Sequence, residues 1–246
     1  MPNLKSTIVL LWGLCFEFLL RTIRMKSLQT TFIHLGQTDR MIARIWLVLF
    51  GGGVIAHLTP LLYPLTTYIT DVLLFATNGI VLYRVHNDAP SRKRLYWLGV
   101  AATATFFIEV AGVATGDVFG NYHYGDTLLL QGLNVPFVIA LNWAVLVLAT
   151  TDFAARFTTN SFWGASISAL IIIAFDLAME PVAVALDYWV WEDGSIPVQN
   201  YFAWFVIAWG LAFALFAMRL TTDSKILRIY FFVQLGFFLS LLLFLV

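Results

Sequence analysis

The chain has 246 residues, of which 61% are hydrophobic and only 11% are charged. A soluble domain carries about 25% charged residues, so a surface this apolar must face lipid. The 14 basic and 14 acidic residues cancel, which argues against a nucleic-acid partner, since that needs a basic face. The single cysteine, Cys15, allows no internal disulfide.

A bilayer core is crossed by roughly 20 apolar residues in a helix. In chain order, the stretches 42–58, 62–83, 95–113, 133–152, 161–187, 199–218 and 226–246 meet this. An eighth, 6–20, is short: it reads as a helix, an interfacial segment or an extension outside the core. No small-residue cleavage site follows it, since Arg21, Arg24 and Lys26 come next. The expected fold is an all-α polytopic membrane helix bundle of about seven core helices. Residues 1–40 form an N-terminal extension and 41–246 the transmembrane domain.

Basic residues alternate between the loops. Arg40 and Arg44, then Arg84 with Arg92, Lys93 and Arg94, then Arg156, then Arg219, Lys225 and Arg228 mark one side. Loops 59–61, 114–132 and 188–198 contain no Lys or Arg. By the excess of basic residues in cytoplasmic loops, the core starts in the cytoplasm and ends outside. Loop 114–132, rich in Gly, Asp, Asn and Tyr, reads as a structured turn region rather than a strand.

Ionisable groups within hydrocarbon are costly, about 2.5–3.5 kcal/mol for an Asp on insertion scales, and mark function by default. Here they are Asp71, Glu109, Asp176 and Glu180, with Asp187 at a helix end, and no Lys or Arg in the interior of a span to pair with them. Carboxyls in that setting are expected to keep their protons, as a general acid must. Asp176 and Glu180 are four apart and share a helix face, with Asp187 roughly on the same stripe. Glu109 lies near the outer end of its helix and Asn142 near the middle of the fourth. All four converge on a cavity opening toward the outer leaflet. Asp71 alone reads as a hydrogen-bond partner to a neighbouring helix. His34, His57, His86 and His123 are too scattered for a metal site. The tryptophans read mostly as interface anchors, with Trp189 and Trp191 beside Tyr188 the best belt candidates. Gly112 and Gly116 read as a helix-packing notch.

Four blocks occur in order: Glu109-Val-Ala-Gly-Val-Ala-Thr-Gly116 running on to Asn121-Tyr-His-Tyr-Gly-Asp126, Asn134-Val-Pro-Phe-Val-Ile-Ala-Leu-Asn-Trp143, Asp176-Leu-Ala-Met-Glu180-Pro running on to Asp187-Tyr-Trp-Val-Trp191, and Pro197-Val-Gln-Asn-Tyr-Phe-Ala-Trp-Phe205. Over about 40–246 this resembles the CruF-type carotenoid 1,2-hydratase family, which includes the bisanhydrobacterioruberin hydratases. The resemblance implies hydration of the acyclic ψ end group of lycopene, γ-carotene or a related carotenoid to a tertiary alcohol. It implies a prokaryotic cytoplasmic membrane, water and lipid as partners beside other carotenoid biosynthesis enzymes, and no cofactor or metal.

Such hydration protonates C2, leaves a tertiary cation at C1 and captures water there. Asp176 or Glu180 is the expected acid and Glu109 the residue that orients and deprotonates water; these roles are exchangeable. Asn142 suits holding the water. Tyr122, Tyr124, Trp143 and Trp189 suit shielding the cation, and Asn200 completes the substrate-binding set. A membrane lycopene cyclase begins with related protonation but captures the cation with an internal double bond. An isoprenoid prenyltransferase would use Asp176 and Glu180 on magnesium-diphosphate, but basic residues to hold phosphate are missing from that side. A retinal protein lacks its intramembrane lysine, a transporter its repeats, and a di-iron desaturase its histidines.

Overall fold

The computed structural model describes residues 35–246. Among these described residues, seven helices are long and apolar enough to cross a membrane: α1 (Gln37–Leu58), α2 (Tyr63–Asp88), α3 (Arg92–Thr115), α4 (Phe137–Ala154), α5 (Ser161–Ala185), α6 (Val198–Ala217) and α7 (Lys225–Phe244). The chain is thus an all-α, multi-pass membrane protein, and the seven expected stretches each fall on one of these helices. The segment 6–20 lies outside the described residues. The chain divides into a unit ending at Arg44 and a compact unit, Ile45–Val246; everything below concerns the second.

Helix starts follow side-chain caps. Ser91 accepts from Arg94 N–H, Asn160 from Trp163 N–H and Ser224 from Leu227 N–H, each occupying an N–H that the helix leaves open. Helix stops rely on left-handed residues. Asp187 (φ 57°) lets Tyr188 N–H return to Ala183 O at 2.9 Å and Asp187 N–H to Val184 O at 3.2 Å. Arg219 (φ 55°) does the same for α6 through Leu220 N–H to Leu215 O at 2.8 Å. Both are the paired closure that satisfies the last carbonyls. This corrects the stripe drawn through Asp187: the residue is exposed and ends α5 rather than continuing it.

The α4, α5 and α7 helices are the most enclosed, and α5 packs most extensively on α6. Side chains such as Val100, Phe107 and Phe202 remain exposed for lipid. Between α4 and α5 the buried Thr150 and Ser168 hydroxyls meet at 2.7 Å, a polar link of the kind that fixes neighbouring membrane helices.

Loop 114–132 is more ordered than its composition implies. It holds β1 (Tyr122–Tyr124), which pairs antiparallel with β4 (Trp189–Trp191) from the α5–α6 loop. A hairpin, β2 (Gln131–Gly132) with β3 (Val135–Pro136), turns through Leu133 (φ 53°) and Asn134 (φ 64°). Two consecutive left-handed residues make the tight hairpin turn that matches strand twist. That turn is why α4 begins at Phe137 rather than 133 and why Asn142 sits in its second turn, not at its middle.

Candidate functional site

Six elements, α3, α4, α5, α6, β1 and β4, carry the carboxyls and their donors. Glu109 lies in the last two turns of α3, and both Asp176 and Glu180 lie on α5, where Pro181 follows directly. The α3 helix stops at Gly116 (φ 71°), whose N–H bonds Gly112 O at 2.9 Å. Gly112 is bare because the ring of Phe119 lies where its Cβ would be, 2.6 Å from that point, with the Tyr122 hydroxyl at 3.4 Å. The Gly112–Gly116 pair is therefore no notch for a second helix. One glycine seats the chain's own returning loop and the other turns it.

The β1–β4 ribbon then aims its side chains. Its register pairs Tyr122 with Trp191, His123 with Val190 and Tyr124 with Trp189. Side chains alternate across a strand, so the two tyrosines and two tryptophans share one face. Gly125 N–H bonds Tyr188 O, and Glu192 N–H bonds Asn121 O, both at 3.0 Å. By the two-residue alternation of an antiparallel ladder, His123 and Val190 form the hydrogen-bonded pair between them. The aromatic pairs fall at the intervening sites, where opposing side chains are closer. Tyr122 and Trp191 have ring centroids 5.1 Å apart, and Tyr124 meets Trp189 edge-on at 6.0 Å.

This face supplies most of the carboxyls' hydrogen bonds. Glu109 Oε2 accepts from Tyr122 at 2.5 Å and Tyr124 at 2.9 Å, and its Oε1 accepts from Trp143 Nε1 at 3.2 Å. Glu180 Oε2 accepts from Trp189 Nε1 at 3.0 Å and Trp191 Nε1 at 3.2 Å. Its Oε1 accepts from Asn200 Nδ2 at 3.0 Å, and the same Nδ2 reaches Asp176 Oδ2 at 3.4 Å. Asp176 Oδ1 is buried and has no hydrogen-bond partner among the described residues. The tyrosine hydroxyls, outside the spanning helices, are pushed up from their ordinary value of 10.0 by burial first and by the charge of Glu109 second. They stay protonated and remain donors.

A cavity of about 40 Å³ lies among these groups, lined by both glutamates and bounded by Asn142, Met179 and the stacked rings of Trp143 and Trp204. At roughly 15 Å³ per water centre it has room for two or three waters. Asn142, Trp143, Tyr122, Tyr124, Trp189 and Asn200 all line it, as do Glu109 and Glu180. Asp176 does not, and stands behind Asn200. Asp117, His123 and Asp126 are exposed on the loop.

The membrane-belt reading of Tyr188, Trp189 and Trp191 is overturned: all three are buried, and the tryptophan N–H groups are taken by Glu180. Trp191, Met179 and Trp204 were missed as lining residues. The signal for Trp191 was its two-residue spacing from Trp189; Met179 and Trp204 had none. Arginine also enters the helices: Arg94 and Arg228 are buried. Neither touches the acid cluster. Arg94 donates to the Leu220 and Ala89 carbonyls, and Arg228 pairs with the fully buried Asp152, an intramembrane acid not singled out from the sequence, and with Asp223. Asp71 does act as a structural acceptor, taking Leu130 N–H at 2.9 Å.

Comparison with known proteins now bears on this site. The family described as carotenoid biosynthesis protein matches residues 68–245, well over half the chain and every residue of the cluster. The chain belongs to the carotenoid biosynthesis protein family. A member of that family, it is also 32% identical over 146 residues to the bisanhydrobacterioruberin hydratase of Haloarcula japonica, an alignment covering 54% of this chain and 48% of that one. The chain thus matches about half the length of this curated relative. No solved structure matches it.

Proposed function

We propose that this family member adds water across the C1,2 double bond of an acyclic ψ end group, giving a tertiary alcohol. The observation that carries the reading is the paired arrangement of Glu109 and Glu180 on one small cavity, each held by donors from a different element. A hydratase needs one carboxyl to give a proton and another to take one, in split protonation states. Glu109 accepts three hydrogen bonds, which suits an acceptor-only carboxylate. The Asp176–Asn200–Glu180 group suits the acid. Its donor count is lower per oxygen, and Asp176 Oδ1 is free to carry a proton.

In the proposed reaction the acid protonates C2, and the aromatic lining shields the cation at C1, a contribution of about 2 kcal/mol or more when desolvated. Water held in the cavity forms the C1–O bond and gives its proton to Glu109. The polyene lies between helices in contact with lipid, which accounts for an intramembrane site. The relative's printed activity, a hydratase, supports the same reaction class. We place the reaction within 41–246 and the protein in a prokaryotic cytoplasmic membrane, with the cavity toward the outer leaflet. The cyclase remains the second reading, since it shares the first protonation.

Expression of the chain in cells making lycopene, and in others making γ-carotene, separates them by chromatography and mass spectrometry. The expected product is heavier by one water with an unchanged chromophore. A product of unchanged mass bearing a ring would replace the hydratase with the cyclase.

A further inference from the structure

Asn142 lines the cavity as a neutral amide, and its surroundings fix which of its ends faces inward. Asn78 Nδ2 (from α2) and Gln234 Nε2 (from α7) both donate to Asn142 Oδ1, at 3.4 and 3.2 Å. Asn78 is in turn fixed by the Tyr230 hydroxyl, which donates to its Oδ1 at 3.1 Å and meets Thr77 Oγ1 at 2.9 Å. The Tyr230 ring packs on Trp46, centroids 4.8 Å apart. Asn78, Gln234, Tyr230 and Thr77 are all at most 1% exposed. With its carbonyl taken twice, Asn142 is left with its amide N–H groups for the cavity it lines. Burying this many amides in an apolar core is costly unless they are satisfied.

We propose that Asn78 and Gln234 are positioning residues: by pinning the Asn142 carbonyl they present its N–H groups to the reacting water and so decide the fate of the cation. This rests on the hydratase reading above. After C2 takes its proton, the charge at C1 has two exits. If water is held there, the C1–O bond forms and a water proton passes to the carboxylate. If it is not, a proton leaves C2 to that carboxylate and the original alkene returns, or one leaves an adjoining methyl and an isomeric 1,1-disubstituted alkene forms. No electron is gained or lost on either route. In D2O the returned alkene carries deuterium.

The test uses membranes containing the full chain, lycopene as substrate and D2O buffer, with alcohol formation and deuterium in recovered lycopene both read at early conversion. Gln234→Met and Asn78→Leu are expected to lower alcohol formation about ten-fold, the effect of one lost hydrogen bond in the site, while deuterium in recovered lycopene rises above wild type. Ser166→Ala, which removes a partner of Trp209 on the α5–α6 flank, serves as a half-buried polar control away from the cavity and should change neither. Tyr230→Phe, a milder change, should shift the same ratio less and covers the case in which the larger substitutions fail to fold. Alcohol and deuterium falling in parallel, or alcohol unchanged, would show the network to be helix-packing glue and overturn the proposal. A wild-type chain that forms no alcohol from lycopene or γ-carotene would remove the hydratase reading itself, and the positioning role with it.

Discussion

The carboxyl groups differ less in burial than in what points at them. Glu109, Asp176, Glu180 and Asp71 are all within 4% of fully enclosed, yet only the first three meet side-chain donors. Asp71 accepts from a backbone N–H, a contact an amide oxygen can replace. Asp71→Asn should therefore keep activity. Glu109→Gln puts a donor where three donors already point, and Asp176→Asn removes one of the two carboxyls that share Asn200 Nδ2. Each is expected to cost about 10²–10⁴-fold in turnover, the range for losing a general acid or base, with protein of normal abundance and dispersity extracted from the membrane. Product formed per amount of extracted protein is the check, and full activity in either variant would remove that residue from the reaction.

At the scale of elements, the short β1–β4 ribbon matters more than its length suggests. It is three residues per strand, too small to stand alone, and it is seated by Phe119 against Gly112 and by four side-chain bonds to the glutamates. Its ladder gives the tyrosines and tryptophans a common face, and its aromatic pairs lock the two loops together. Val190→Pro deletes the N–H of the central hydrogen-bonded pair without touching a lining side chain. Helix content by circular dichroism should be unchanged. Turnover should fall about a hundred-fold, as expected when catalytic groups shift by roughly an ångström. Unchanged turnover would mean that the helices alone orient the carboxyls.

Across the whole molecule, polarity is sorted toward the two helix ends. One end carries the aromatic loops 114–132 and 188–198, which hold acidic residues but no Lys or Arg, and the cavity. The other holds Arg94, Asp152, Asp223 and Arg228, with Asp152 also accepting from Thr222 and from Ser224 N–H. We propose that the positive end lies in the cytoplasm, with the site toward the outer leaflet. In a Cys15→Ser background, a cysteine at Glu192 should react with a membrane-impermeant thiol reagent added to intact cells. One at Arg156 should react only after lysis. The reverse pattern would place the chemistry on the cytoplasmic face.

The sequence by itself determined the membrane class, the seven spans and the carboxyl cluster. Hydrocarbon imposes strong local constraints: about 20 apolar residues per span and a heavy cost for each charge. Both are readable in a short window. The order of aromatic and acidic blocks carried the family resemblance. Tertiary structure decided which groups meet. Tyr122 faces Trp191, Asn142 meets Gln234 across 92 positions and Arg228 meets Asp152 across 76. Periodicity describes the face of one element and holds no information on which element covers it, so the tryptophans resembled an interface belt and nothing marked Asp152. Packing turned the first into hydrogen-bond donors for Glu180 and the second into the buried partner of Arg228, because an enclosed polar atom must find its partner within the protein.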